Sequence, residues 1–198
     1  VGQGLLIEVC ACIGNRFDVE TLADTLERSS EDVLESMDEL IKQGLISYSK
    51  DLYRFHHDRI QEAAYSLLDQ EERERIHYRI GNLGLKKTPP EELFNYIFYI
   101  TDQLNKGRRH MVTREERTRL ADLNLKAGIR AKDSTAYGPA VSYLASGMEL
   151  LAEDSWRTDY AITYGLFTEQ MECQYLNRNF EEAERLFKII VSNAATKR

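Results

Sequence analysis

The densest run of side chains able to do chemistry is His56-His57-Asp58-Arg59. Imidazole, carboxylate and guanidinium in one stretch are the material of proton transfer, metal ligation and phosphate binding. A zinc site needs ligands that converge from one face at about 2 Å. Adjacent residues diverge, and His77 and His110 lie far along the chain, so no metal site is assigned. No nucleophile motif accompanies the histidines, which leaves a Ser-His-Asp or Cys-His catalytic set unsupported. Gly81-Asn-Leu-Gly84 falls inside a helical pattern and lacks the Lys-Ser/Thr ending of a phosphate loop. Cys10 and Cys12 sit in an apolar helical segment, roughly 200° apart around its axis, and so cannot bond each other. With Cys173 they read as core hydrophobes of a protein in a reducing compartment, and a cytoplasmic location is expected.

These residues must be positioned by surrounding elements, and the hydrophobic period names them. Leu5, Leu6, Val9 and Ile13 recur at helical spacing, with Gly14 and Asn15 as the stop. Asp18 precedes a second helix carrying Leu22, Ala23 and Leu26. Ser29 and Ser30, followed by Glu31 and Asp32, open a third with Val33, Leu34, Met37, Leu40 and Ile41 on one face. The period then changes. Leu45–Tyr48 and Leu52–Phe55 are short β-like runs joined by Ser49-Lys50-Asp51, so a hairpin is expected, and a helix follows from about Asp58. Three helices and a two-stranded wing are the order of a winged helix, placed at residues 1–68.

The remainder reads as helix: a connecting helical hairpin over 69–112, then helical repeats over 113–198. Thr88-Pro89-Pro90-Glu91 is expected to open a helix with proline in its first turn. Leu93, Phe94, Ile97, Phe98, Ile100 and Leu104 span nearly its whole circumference, which predicts deep burial. Lys106 to His110 close that helix with glycine and cations, so Arg108-Arg109 complements the helix dipole. Thr113-Arg-Glu-Glu116 is a capping box. Tyr137-Gly-Pro-Ala140-Val-Ser-Tyr143-Leu144 aligns with Phe180-Glu-Glu-Ala183-Glu-Arg-Leu186-Phe187 at an offset of 43 residues. Ala140 and Ala183 fall where two helices need a small residue to approach. The second copy resembles the latter half of a tetratricopeptide (TPR) repeat, and the array is expected to continue past Arg198.

Charge sharpens the partner question. The net charge is −7, and residues 1–65 hold 13 acids and 6 bases, so the winged helix carries all of it. Its third helix, the one that would enter a DNA groove, bears Glu31, Asp32, Glu35, Asp38 and Glu39 against Lys42. A domain of that sign repels a phosphate backbone, so no nucleic acid partner is expected. No apolar run is long enough to span a membrane.

Tyr53-Arg-Phe-His-His-Asp-Arg-Ile-Gln-Glu-Ala-Ala-Tyr-Ser-Leu-Leu68 resembles the segment just after the ATPase core in large bacterial multidomain signalling proteins. Those chains join a serine/threonine kinase, an AAA-type STAND ATPase, a GAF sensor and often a histidine kinase. Val9–Asp18, Glu91–Asn95 with Gln103–Gly107, and Arg119–Gly128 look like the same family, so the resemblance covers nearly the whole chain. It implies that the chain is a middle piece whose parent is an ATP-binding signalling kinase, with ATP or ADP and magnesium bound in the parent and no cofactor here. His57-Asp58 is also similar to the Met-His-Asp motif of related NTPase switches, with His56 in the Met position. That likeness implies that His57 reaches nucleotide on the upstream ATPase, while Asp58 caps the helix that follows.

The expected fold is therefore mainly α: a winged helix with a small β-hairpin, then an antiparallel helical-hairpin array of TPR-like type. The expected function is a non-catalytic relay between an upstream nucleotide switch in cis and a repeat surface that binds a protein or small ligand. A transcription regulator with a ligand-binding helical domain is the alternative, and an enzyme is the least supported.

Overall fold

The computed structural model describes residues 3–194. They form two compact units: residues up to Leu93 with Asp102–His110, and Phe94–Thr101 with the residues from Met111 onward.

The first unit begins with α1 (Gln3–Ile13), β1 (Arg16–Phe17), α2 (Val19–Leu26) and α3 (Ser30–Lys42). Asp18 caps α2 by accepting from the Thr21 amide, and Ser29 caps α3 by accepting from Asp32. Leu34, expected on the apolar face of α3, lies on the exposed side of that helix. Gly44, at φ +72°, reverses the chain into β2 (Ile46–Ser49), and β3 (Leu52–Phe55) returns along it. Lys50 and Asp51 both have positive φ, as a two-residue hairpin turn of the twist-matched kind requires. The sheet order is β1-β3-β2, all antiparallel, with Arg16 opposite Arg54 and Ser47 opposite Arg54 on its other side. The unit is thus mainly helical with a small three-stranded antiparallel sheet, one strand beyond the hairpin expected from sequence. β1 is only two residues long and shows no alternation of its own; pairing with β3 makes it a strand.

α4 (Asp58–Leu67) and α5 (Gln70–Lys87) complete this unit, together with the end of α6 (Leu93–Lys106) and a 3₁₀ turn at Arg108–His110. Phe17, Leu22, Val33, Met37, Ile46 and Ile80 anchor one continuous core. α6 differs from expectation at both ends of the argument. It starts at Leu93, not at the prolines, because Pro89 and Pro90 lie in a turn whose Pro89 carbonyl accepts from Glu92 and Leu93. Its apolar residues are not all buried either: Ile97, Ile100 and Leu104 are, whereas Phe94, Tyr96 and Tyr99 are exposed.

The second unit is helical throughout: α7 (Arg114–Asp133), α8 (Tyr137–Glu149), the single turn α9 (Ser155–Thr158), α10 (Tyr160–Leu176) and α11 (Phe180–Ala194). The Thr113–Glu116 capping box opens α7 as predicted. α7, α8, α10 and α11 pack as successive antiparallel neighbours. Ala140 and Ala183 are both buried at the helix contacts, as small-residue positions of a hairpin repeat should be. Trp156 lies in α9 and packs its ring 5.0 Å from Phe167.

Candidate functional site

The wing-to-helix junction emerges on the surface. His56, His57, Asp58 and Arg59 are all exposed. His57 is itself the N-cap residue of α4, in extended conformation, and it makes no side-chain cap bond. Asp58 therefore does not cap the helix, contrary to the sequence expectation. It is the first helical residue, where its carboxylate complements the helix dipole. Among the described residues, neither the His57 nor the Asp58 side chain makes a hydrogen bond or ion pair, and both are exposed.

Behind this exposed end, α4 is tied to the interior by polar bonds that sequence reasoning missed. The last carbonyls of a helix have no partner within it. In α1 they are met by two side-chain amides: Gln61 of α4 donates to Ala11 O at 3.2 Å, and Gln103 of α6 donates to Cys12 O at 3.0 Å. With its nitrogen on a carbonyl, Gln103 turns its amide oxygen toward His77 Nδ1, 2.6 Å away. Nδ1 must then donate, which leaves Nε2 to accept from the Tyr65 hydroxyl at 2.9 Å. The Gln103 bond thus fixes the neutral ring in one tautomer. Burial lowers the pKa of His77, the bond to Gln103 opposes that, and the Lys106 and Arg73 cations add to the lowering.

His77 being only 1% exposed, this shift acts on stability. A folded pKa below the unfolded value means that the unfolded chain takes up the proton first as pH falls. The contribution is whole above about pH 6.5, the ordinary histidine value, and is lost downward through the folded pKa. The stability gap between the protein and a His77→Gln variant is expected to narrow between pH 7 and pH 5 in parallel urea titrations. A gap independent of pH would contradict the neutral-ring assignment.

The second unit carries an open groove between α10 and α11, lined by Met171, Tyr175, Phe180, Ala183 and Phe187, with a volume of about 420 Å³. Tyr175, Phe180 and Phe187 are each more than half exposed. At the 43-residue offset the two hairpins differ. Gly128 in α7 corresponds to Met171 in α10, and Leu144 to Phe187. A Cβ at position 128 would lie 2.5 Å from Leu144 Cγ, so glycine is what lets Leu144 close against α7. Methionine stands at the equivalent place, and Phe187 lines the groove with it, 55% exposed. Beside the groove, Lys132 forms an ion pair with Glu169 at 2.6 Å and donates to Glu172 at 2.9 Å. Partial burial works against its charge, but those two bonds hold the ammonium above the ordinary lysine range.

The three cysteines are buried thiols, and burial pushes Cys12 up to about 12 and Cys173 up to about 11, away from nucleophilic use. Among the described residues, no group of three or more His, Cys, Asp or Glu could hold a metal ion. No helix among them is long and apolar enough to cross a membrane.

No known family profile matches the chain. It is similar to the hybrid signal transduction histidine kinase G of Dictyostelium discoideum, at 26% identity over an alignment of 251 residues. That alignment takes in 96% of this chain and 7% of the kinase, so the chain corresponds to a small segment of a much longer signalling protein. Among solved structures it is similar to a signal transduction ATPase with numerous domains (STAND) protein with a tetratricopeptide repeat sensor, from Pyrococcus horikoshii. The TM-score is 0.44 and the identity 17%, covering 98% of this chain and 32% of the other.

Proposed function

We propose that this chain is a non-catalytic relay segment of an ATP-binding signalling kinase, passing the state of a nucleotide switch to a helical-repeat surface that binds protein. The observation that carries the reading is the similarity of 96% of the chain to one segment of a signal transduction histidine kinase. The geometry is in keeping with it. His57 and Asp58 stand exposed at the first turn of α4, and the same helix holds Gln61 and Tyr65, which bond α1 and the buried His77. A phosphate oxygen bound by His57 would therefore act on a helix whose other bonds reach two further helices, α1 and α5. On this reading ATP or ADP and magnesium belong to an upstream ATPase in cis, the chain itself binds no cofactor, and the whole works in the cytoplasm. The groove on α10 and α11 is the surface that takes the protein partner.

The test uses a full-length protein that carries both the ATPase and this segment. His57→Ala is expected to speed ADP release at least tenfold, the loss of about 1.4 kcal/mol or more that a charge-assisted hydrogen bond to phosphate represents. Basal kinase output should rise with it. Unchanged ADP retention together with unchanged output would sink the nucleotide-sensing role of His57. The isolated chain is expected to hydrolyse no ATP.

A further inference from the structure

The acidic first unit contains a basic pocket. Arg16, Lys50 and Arg54 line it with Ser49 and Leu52, around a space of about 230 Å³ on the outer face of the sheet. Residues 1–65 have only 6 bases, and three of them meet here. The strand register makes the gathering sharper. Arg16 on β1 stands directly opposite Arg54 on β3, and like charges directly opposite destabilise a strand pair. No carboxylate lines the pocket, and among the described residues neither arginine nor Lys50 forms an ion pair. The neighbouring acid, Asp51, accepts from the Tyr48 hydroxyl at 3.2 Å. Arg54 donates through Nε to Ser47 Oγ at 3.3 Å, which fixes the guanidinium on this face and leaves its outer nitrogens for a ligand. Lys50 stands at the hairpin tip, in the turn between β2 and β3.

We propose that this face of the sheet is a binding site for a phosphate monoester group. Two guanidinium forks and one ammonium around a small cup suit a compact dianion, since the forks bond paired oxygens and the ammonium adds a point charge. Leu52 offers an apolar wall to the carbon carrier of the phosphate. The domain average excludes a polyanion: a nucleic acid long enough to leave the pocket would meet a domain whose residues 1–65 carry a net charge of −7 even with the pocket's bases counted. A single phosphate group does not. The site uses none of the residues assigned to nucleotide sensing at His57, so it stands or falls separately from that role.

Inorganic phosphate titrated into the 198-residue chain, followed by calorimetry and by thermal melting, tests the site. Saturable binding and a rise in the melting temperature are expected. Arg54→Gln and Arg16→Gln should each weaken binding at least tenfold. Each should also raise the melting temperature without phosphate, because the cross-strand repulsion is gone. Lys42→Gln, a base of the same unit outside the pocket, should leave both readings unchanged. Adenosine monophosphate and a phosphoserine peptide then separate a small-molecule source from a protein one, and tighter binding of either supports the site. Absence of saturable phosphate binding would overturn the proposal, as would equal loss in Lys42→Gln. So would binding of a mixed-sequence DNA duplex ahead of every monoester.

Discussion

Replacing Gln103 with alanine is expected to destabilise the first unit by about 3 kcal/mol or more, measured by urea unfolding. Gln103 is 4% exposed and joins two otherwise unpaired groups, the Cys12 carbonyl at the end of α1 and the Nδ1–H of His77. Leaving a buried donor or acceptor unsatisfied costs about 1–3 kcal/mol each, and this substitution strands two at once. It also leaves His77 free to choose either tautomer, so the Tyr65 bond is no longer specified. Gln103→Leu separates the causes: it restores much of the lost volume and none of the hydrogen bonds. If the polar network governs, leucine costs nearly as much as alanine. A leucine variant as stable as the parent would mean that Gln103 serves by packing alone. Tyr65→Phe, which removes one donor from the far end of the network, should cost about 1 kcal/mol.

That network also marks where sequence reading stopped. Local signals carried far: Asp18, Ser29 and the Thr113–Glu116 box each name a helix start by chemistry that acts within three residues. The hairpin around Lys50-Asp51 and the small-residue positions Ala140 and Ala183 are similarly short-range. His77 and Gln103, by contrast, are 26 residues apart, and Gln103 lies 91 residues from Cys12. No period links them, and an isolated histidine on a charged helix reads as surface or core with equal ease. α6 shows the same limit. A full circumference of apolar residues predicts burial all round, but Phe94 is not withdrawn into the core. Arg130 lies 4.2 Å above its ring and also donates to its carbonyl, so the exposed aromatic is met by a cation from α7. β1 could not be named because two residues have no alternation; only the partner strand defines it. The junction at His56–Arg59 was legible as a position, at a strand-to-helix transition, while the capping role given to Asp58 was off by one residue. Helix starts are set by backbone dihedrals, and His57 takes the extended conformation of the cap.

The second large effect compares equivalent residues of the repeat. Leu144→Ala is expected to cost about 2–5 kcal/mol and Phe187→Ala less than about 0.5 kcal/mol, although phenylalanine is the larger side chain. Leu144 is fully buried between α7 and the core that includes Leu166 and Cys173. Its close approach depends on Gly128, so the space left by alanine cannot be filled without moving backbone. Phe187 is 55% exposed, over a groove that it lines with Met171. Truncating it removes little buried area. Urea unfolding of the two variants measures the contrast. The difference bears on use of the surface as well as on stability. A position retained as an aromatic while contributing little to folding is free to serve a contact, and the groove's other walls, Tyr175 and Phe180, are aromatic and exposed in the same way. If the groove takes a protein partner, Phe187→Ala should weaken that binding by tenfold or more while the melting temperature stays within a degree or two. A Phe187→Ala variant as destabilised as Leu144→Ala would show instead that the two hairpins are packed alike. The open groove would then be no docking surface.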